Sequence, residues 1–180
     1  MSSFDLILGL VGLSVAGFVG LFLWTRRGQG QPDHPGARTA CTFHGGNALR
    51  TERERARERR VGEVALGDGV SAALAERLQA MGVHVLARDH EEYGWGMNIA
   101  RDGVQASLHV GAVPDDQDRD LWLLRVSDAS SGGPGPDALL PVVDRALHQI
   151  PQLTSIQWHA REQLGTEAPL AGEEAPLDQQ

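Results

Sequence analysis

The chain has 180 residues, with 24 acidic side chains against 16 basic ones, and all sixteen of the basic side chains are arginines. Residues 1–60 carry nine arginines and five acids, whereas residues 61–180 carry seven arginines and nineteen acids. An acidic domain offers no basic face for phosphates, which argues against nucleic acid as a partner. The single Cys41 excludes an intramolecular disulfide. Arginine without lysine, together with abundant Gly and Ala, indicates a GC-rich bacterial genome.

The first element is an apolar run, residues 6–24, that contains neither charge nor proline. As a helix it is ~28 Å long, close to the ~30 Å hydrocarbon core of a bilayer. A cleaved signal peptide has basic residues before its apolar stretch and a small-x-small site after it. Here no arginine precedes the run, and Arg26 and Arg27 follow it. The pattern predicts an uncleaved, single-pass transmembrane anchor over residues 1–27.

The charges that flank the run predict its orientation. Arg26, Arg27 and Arg38 lie on the C-terminal side and Asp5 on the other, so the positive-inside rule places the C-terminal domain in the cytoplasm, at the inner membrane of the cell.

A second pattern within the run is a stripe of small residues four apart, Gly12, Ala16 and Gly20. Such a stripe lets two backbones approach closely and predicts a homodimer through the transmembrane helix. The alternative is that glycine is simply frequent in spanning helices. Self-association of an Ala16→Ile variant separates the two, because unchanged association would refute pairing.

Residues 28–67 are predicted to be a flexible linker and an Arg-rich segment. Residues 28–47 are rich in Gly, Pro and polar side chains without apolar periodicity. Cys41 and His44 have the spacing of half a zinc site, but a second half is missing, and we predict no metal there. Residues 49–60 hold six Arg and three Glu, a composition that supports a charged helix through i,i+4 pairs. Its positive surplus suits either anionic lipid or a soluble connector.

Residues 68–161 are predicted to form the folded domain, which begins with a helix over residues 68–82. Its apolar side chains recur at helical spacing: Val70, Leu74, Leu78 and Met81. The period then changes to two, which predicts a strand with Val83, Val85 and Ala87 on one face.

A hairpin follows around Asp102-Gly103, a sequence typical of type I′ turns. Counting outward from the turn pairs Arg101 with Val104, Asn98 with Ser107 and Gly96 with His109, and on the other face Ile99 with Ala106, Met97 with Leu108 and Trp95 with Val110. Turn chemistry and face pattern agree on this one register.

Three further elements complete the domain. Residues 121–127 predict a strand with Trp122, Leu124 and Val126 on one face, residues 137–150 a helix, and residues 153–159 a strand with Thr154, Ile156 and Trp158 on one face. Residues 162–180 are acidic and without periodicity, and are predicted to be a disordered tail.

An acidic array, Asp116, Asp118 and Asp120, precedes the strand at residues 121–127. Its spacing is that of the first ligands of an EF-hand loop, but Leu121 stands at the glycine position and Ser127 at the closing glutamate position. These departures favour a solvated loop over a calcium site.

The order helix, four strands, helix, strand predicts an α+β fold, an antiparallel sheet of about five strands with two helices packed on one face. Residues 80–160 resemble the small α+β immunity proteins of bacterial toxin systems. The resemblance is carried by Tyr93-Gly94-Trp95, the Asp102-Gly103 hairpin, Asp120-Leu121-Trp122-Leu123-Leu124 and Ile156-Gln157-Trp158. It implies a toxin-neutralising, protein-binding role.

The face of the sheet away from the helices is the predicted partner-binding surface. If Val83, Trp95, Val104 and Trp122 face the helices, the side chains that alternate with them along each strand lie on the opposite face. The candidates there are His84, Arg88, Asn98, Gln105, Ser107, His109, Leu121, Leu123, Arg125, Gln157 and His159. An ordinary solvated sheet face remains the alternative.

Two classes of function fit these observations. The first is a membrane-anchored, non-enzymatic module that binds an unknown protein partner and no cofactor. The second is a metal-dependent enzyme that uses His84, His109 and His159. The first is favoured, because nothing in the sequence supplies a nucleophile with an orienting base.

Overall fold

The computed structural model describes residues 37–61, 67–91, 93–113, 120–129, 136–160, 173–174 and 176. Across these residues, every helix falls short of the length and apolar character needed to cross a bilayer. The predicted anchor at residues 6–24, with Gly12, Ala16 and Gly20, lies outside the described residues, as do Asp116 and Asp118.

Within the described residues, six strands form one antiparallel sheet, which confirms the α+β class and adds one strand to the predicted number. The strands are β1 (Ala40–His44), β2 (His84–Glu91), β3 (Gly94–Arg101), β4 (Val104–Ala112), β5 (Trp122–Asp128) and β6 (Thr154–His159), in the spatial order β2-β3-β4-β5-β1-β6. The helices are α1 (Glu52–Val61), α2 (Asp68–Ala80) and α3 (Leu140–His148), with 3-10 turns at Gly46–Leu49 and Pro136–Leu139.

The core lies between one face of the sheet and the helices α2 and α3. Leu74 and Leu78 from α2 and Val143 and Leu147 from α3 belong to the same buried cluster as the sheet. Sheet residues in that cluster include Phe43, Ile99, Leu108, Trp122, Leu124 and Trp158. The helix predicted over residues 137–150 is present as the 3-10 turn Pro136–Leu139 followed by α3, which has a proline in its first turn.

Strand β1 corrects the linker prediction, because residues 40–44 lie inside the sheet between β5 and β6. Cys41 faces Leu124 and Phe43 faces Trp122, and all four are fully buried. The following 3-10 turn is packed equally closely: a Cβ on Gly46 would lie 2.3 Å from the Trp122 ring. Only two apolar side chains alternate in β1, too few to stand out in a Gly- and Pro-rich segment.

The central hairpin has the register that the sequence predicts. Asn98 pairs with Ser107 and Gly96 with His109, and the three predicted apolar pairs are also present. Asp102 has a φ of 52° and Gly103 a φ of 81°, and a type I′ turn requires positive values at both positions.

Strand β2 departs from simple alternation through a bulge. Val85 pairs with Ile99 but Ala87 with Asn98, so Leu86 is the extra residue, and its side chain is 58% exposed. An extra residue reverses the faces beyond it. Arg88 therefore lies on the helix side rather than on the open face, and its predicted place in the binding surface was wrong.

Arg88 is held on the helix side by two contacts. Its Nη1 lies 2.9 Å from Oδ1 of Asp68 at the start of α2, and its guanidinium carbon lies 4.9 Å from the centroid of the Trp95 ring. The residue thus ties β2 to α2 through an ion pair and a cation–π contact.

A similar irregularity in β6 corrects the predicted face of Thr154. Ile156 and Trp158 are buried as expected, but Ser155 has a φ of 51° and the register with β1 shifts at this point. Thr154 is therefore exposed, opposite His44.

Part of the tail predicted to be disordered is ordered against the sheet. Glu173 exchanges two backbone hydrogen bonds with Trp158, at 2.7 and 2.9 Å, and the carbonyl of Pro176 accepts the N–H of Arg38 at 2.9 Å. At these residues the disorder prediction was wrong, because backbone pairing with a sheet edge does not depend on a side-chain pattern.

Candidate functional site

The candidate site is the face of the sheet opposite α2 and α3, called here the open face. Directly paired residues of neighbouring strands point to the same side, so the registers define rows across it. The central row, from β2 to β6, is Asp89, Gly96, His109, Arg125, Ala40 and His159. The row beside it is Glu91, Gly94, Gly111, Leu123, Thr42 and Gln157.

Most predicted site residues occupy this face, although to different depths. His84, Asn98, Gln105 and Gln157 are exposed, whereas Ser107, His109, Leu121, Leu123 and Arg125 are half-buried. His159 lies on the face but is fully buried, which corrects its predicted exposure.

The middle of the open face is a charged series that runs from Glu91 through His109 to Arg125. A Cβ on Gly96 would lie 2.0 Å from Oε1 of Glu91, so only glycine there lets the carboxylate cross over β3. Oε2 of Glu91 then lies 3.4 Å from Nε2 of His109, and His109 pairs with Arg125 across β4 and β5. Glu91 is the residue that sequence reasoning missed. The sequence signal for this contact was Gly96, which pairs with His109 in the predicted hairpin and leaves room above β3 for a side chain from β2.

The environment of His109 keeps its imidazole neutral near pH 7. Burial lowers its pKa, the Glu91 carboxylate raises it, and the Arg125 guanidinium lowers it, with a net decrease from the ordinary value. Neutral His109 both donates and accepts hydrogen bonds, and it stands between an acceptor and a cation.

Beside this series the side chains are held by local hydrogen bonds. Oγ of Ser107 donates to Oδ1 of Asn98 at 2.7 Å, and Oγ of Ser127 donates to the carbonyl of Ser107 at 3.4 Å. The cross-strand pairs fix these groups in position before any partner arrives, which lowers the entropy lost on binding.

At the β1–β6 end of the open face Gln157 is exposed, but the neighbouring residues of β1 and β6 are buried. Nε2 of His159 lies 2.7 Å from Oγ1 of Thr42, and both residues, like Ala40, are buried. Burial lowers the pKa of His159, so its neutral ring serves the Thr42 hydrogen bond. The accessible part of the face is therefore centred on β3, β4 and β5.

The predicted histidine trio is not brought together. His84, His109 and His159 belong to β2, β4 and β6, with one strand between the first two and two strands between the last two. At ~4.8 Å per strand these gaps exceed ~9 Å, whereas a metal binds imidazole nitrogens at ~2.1 Å. Within the described residues, His, Cys, Asp and Glu side chains form no group of three that could hold a metal ion.

Cys41 is suited neither to zinc nor to nucleophilic chemistry. It lies three residues from His44 on one strand, and such positions point to opposite faces. The thiol is fully buried, and burial together with the Asp144 carboxylate raises its pKa far above the ordinary value. A protonated, enclosed thiol is unreactive.

Asp120, the described member of the acidic array, has a structural role. Its carboxylate accepts the N–H groups of Gly45 at 2.9 Å and Asn47 at 3.0 Å, at the start of the first 3-10 turn, and Nε1 of Trp122 at 3.1 Å. These bonds bring the residues before β5 against the residues after β1.

No protein-family model, no curated protein and no solved structure matches the chain.

Proposed function

We propose that the chain is a single-pass, membrane-anchored and non-enzymatic module that binds a protein partner through the accessible part of its open face. The observation that carries the proposal is the composition of that part. Half-buried Leu123 lies two residues from Arg125 along β5, Arg125 pairs with His109, and half-buried Leu121 lies two residues before Leu123. An apolar spot with arginine at its edge is typical of interface centres.

The charged series gives this surface its polarity. Glu91 lies at one side of His109 and Arg125 at the other, so a partner meets an acceptor, a neutral imidazole and a cation in order from β2 to β5. Such an order selects partners by charge complementarity, which affects specificity and association rate more than affinity.

The anchor in this proposal rests on the apolar run at residues 6–24 and the arginines that follow it. It confines the binding domain to the cytoplasmic surface of the inner membrane. The resemblance of residues 80–160 to immunity proteins supports a toxin as the partner.

The test is crosslinked recovery of the partner from membranes with the full chain and two variants, Leu123→Ala and Arg125→Ala. We expect each to lose about 1 to 3 kcal/mol of binding free energy, as central interface residues do. Arg145→Ala is the control, because Arg145 is exposed on α3, which packs on the opposite side of the sheet.

Thermal melts of all three variants separate binding from folding. Equal recovery by wild type, Leu123→Ala and Arg125→Ala at unchanged melting temperature would exclude the open face as the binding surface. Stoichiometric zinc in the purified protein would instead favour the enzyme hypothesis.

A further inference from the structure

Helix α1 presents an arginine-rich surface that the open-face proposal does not use. Arg53, Arg55, Arg57 and Arg59 are all exposed. The pair between Arg55 and Glu52 is 3.9 Å long, with both side chains largely exposed, and such pairs contribute little and are screened by salt. The surface of α1 is therefore positive on a domain whose remaining composition is acidic.

The attachment of α1 decides which side it presents. Among the described side chains of α1, that of Glu54 is the buried one. The Glu54 carboxylate accepts the N–H groups of Gly67 and Asp68 at the start of α2. At 100° per residue, Arg53 and Arg57 lie on one flank and Arg55 and Arg59 on the other. Ala56 and the exposed Glu52 lie between the flanks, opposite Glu54, so the outward side holds one small residue and one acid, bordered by arginines on both flanks.

We propose that this outward side of α1 docks on the anionic headgroups of the bilayer that residues 6–24 are proposed to span. The inference rests on the proposed anchor, which brings α1 to a membrane surface. Charge complementarity selects the occupant, because the cytoplasmic leaflet carries anionic lipid that attracts juxtamembrane arginines. The outward residues include no large apolar side chain, so the docking is electrostatic and reversible.

The docking also orients the domain. The hydrogen bonds from Gly67 and Asp68 to Glu54 attach α1 to the first turn of α2, so adsorption through α1 restricts how the folded domain can rotate at the bilayer.

The experiment uses the full chain in nanodiscs of phosphatidylcholine, with and without phosphatidylglycerol. A fluorophore on Ala56→Cys is quenched by nitroxide lipid headgroups when α1 touches the surface. A fluorophore on Gln79→Cys, exposed on α2, is the positional control. Native Cys41 is fully buried, and labelling of wild type measures its background. We expect strong quenching at Ala56 that requires phosphatidylglycerol and disappears in high salt.

Two triple variants that remove the same amount of positive charge test whether the arginines of α1 are the ones that dock on the membrane. One is Arg53→Gln, Arg55→Gln and Arg57→Gln, and the other is Arg77→Gln, Arg101→Gln and Arg145→Gln, outside α1. Each arginine near an anionic surface contributes roughly fivefold to the docked population. The first variant should reduce the docked-to-free ratio about a hundredfold and the second much less.

Equal quenching in neutral and anionic discs, or equal loss in both variants, would overturn the inference. So would protection of the Ala56 label by duplex DNA in neutral discs without any response to phosphatidylglycerol, which would make nucleic acid the occupant. Extraction of the chain by alkali would refute the anchor and this inference together. Retention in the membrane without lipid-dependent quenching would refute the docking alone.

Discussion

At the scale of single residues, Glu54 joins two helices through one carboxylate. Oε2 accepts the N–H and the hydroxyl of Thr51, and Oγ1 of Thr51 accepts the N–H of Glu54, which is a capping box at the start of α1. Oε1 accepts the N–H groups of Gly67 and Asp68, and Oε2 that of Gly69 at 3.3 Å. These donors at the start of α2 would otherwise be unpaired and partly buried.

We predict that Glu54→Gln lowers the free energy of unfolding by about 1 to 3 kcal/mol near pH 7, because a charged acceptor of several backbone N–H groups is lost. Glu52→Gln is the matched control on the same helix: its side chain is 85% exposed, and we expect a change below about 0.5 kcal/mol. Urea denaturation of both variants and the wild type measures the difference. Equal stability of the three proteins would contradict this role of Glu54.

The pKa of Glu54 adds a pH signature to that prediction. Burial raises this pKa, but the backbone hydrogen bonds from Gly67, Thr51, Asp68 and Gly69 outweigh burial and lower it overall. Stability from Glu54 is therefore present above the unfolded pKa of about 4.3 and is lost as the pH falls through the lowered native value. The gap between wild type and Glu54→Gln should narrow in acid.

His109 and His159 make a separate contribution below neutral pH. Burial lowers the pKa of both residues, so the unfolded chain binds more protons than the native one. Their contribution is complete above about pH 6.5 and declines as the pH falls towards the native pKa values. NMR titration of the ring C–H signals should give midpoints below about 6.5 for both residues. A midpoint at or above that value would contradict the assigned burial.

At the scale of elements, β1 holds the sheet together. It pairs with β5 on one side and β6 on the other, and it contributes Cys41 and Phe43 to the core. Without it, β6 loses its neighbouring strand, β5 loses one of its two neighbours, and Trp122 loses its contact with Phe43 across the pair. The domain boundary predicted at residue 68 therefore falls inside the cooperative unit.

We predict that a fragment of residues 68–161 does not fold, whereas a fragment of residues 37–180 does. The shorter fragment lacks β1 and the 3-10 turn that packs on Trp122, and buried unpaired backbone groups cost several kcal/mol in total. Circular dichroism and a thermal melt of each fragment distinguish the outcomes. A cooperative melt of the shorter fragment would show that β1 is dispensable.

At the scale of the whole molecule, the proposed function requires the folded domain to lie on the cytoplasmic side of the membrane. The arginine asymmetry around residues 6–24 supports that orientation, and the arginines of α1 suit the same anionic leaflet.

We predict that alkaline phosphatase fused after Gln180 is inactive and that a fluorescent protein fused at the same position is fluorescent, because the phosphatase matures only outside the cytoplasm. Expression of each fusion is checked by immunoblotting. Active phosphatase with a dark fluorescent protein would reverse the orientation and exclude a cytosolic partner.

The amino-acid sequence by itself determined the features that depend on neighbours along the chain. The hairpin from β3 to β4, the face of β5 and the apolar stripes of α2 and α3 follow from turn chemistry and from periods of 2 and 3.6 residues. The same local rules placed His109, Leu123 and Arg125 together on the open face.

The tertiary structure alone decided what depends on distant segments. β1 is recognisable only by its partners in β5 and β6, because backbone hydrogen bonds between strands carry no sequence signature. The bulge at Leu86 moved Arg88 to the helix side, and the pairing of β6 with β1 buried His159 against Thr42. In the sequence Glu54 is one of several charged residues of the Arg-rich segment, and only the fold places its carboxylate against the N–H groups at the start of α2.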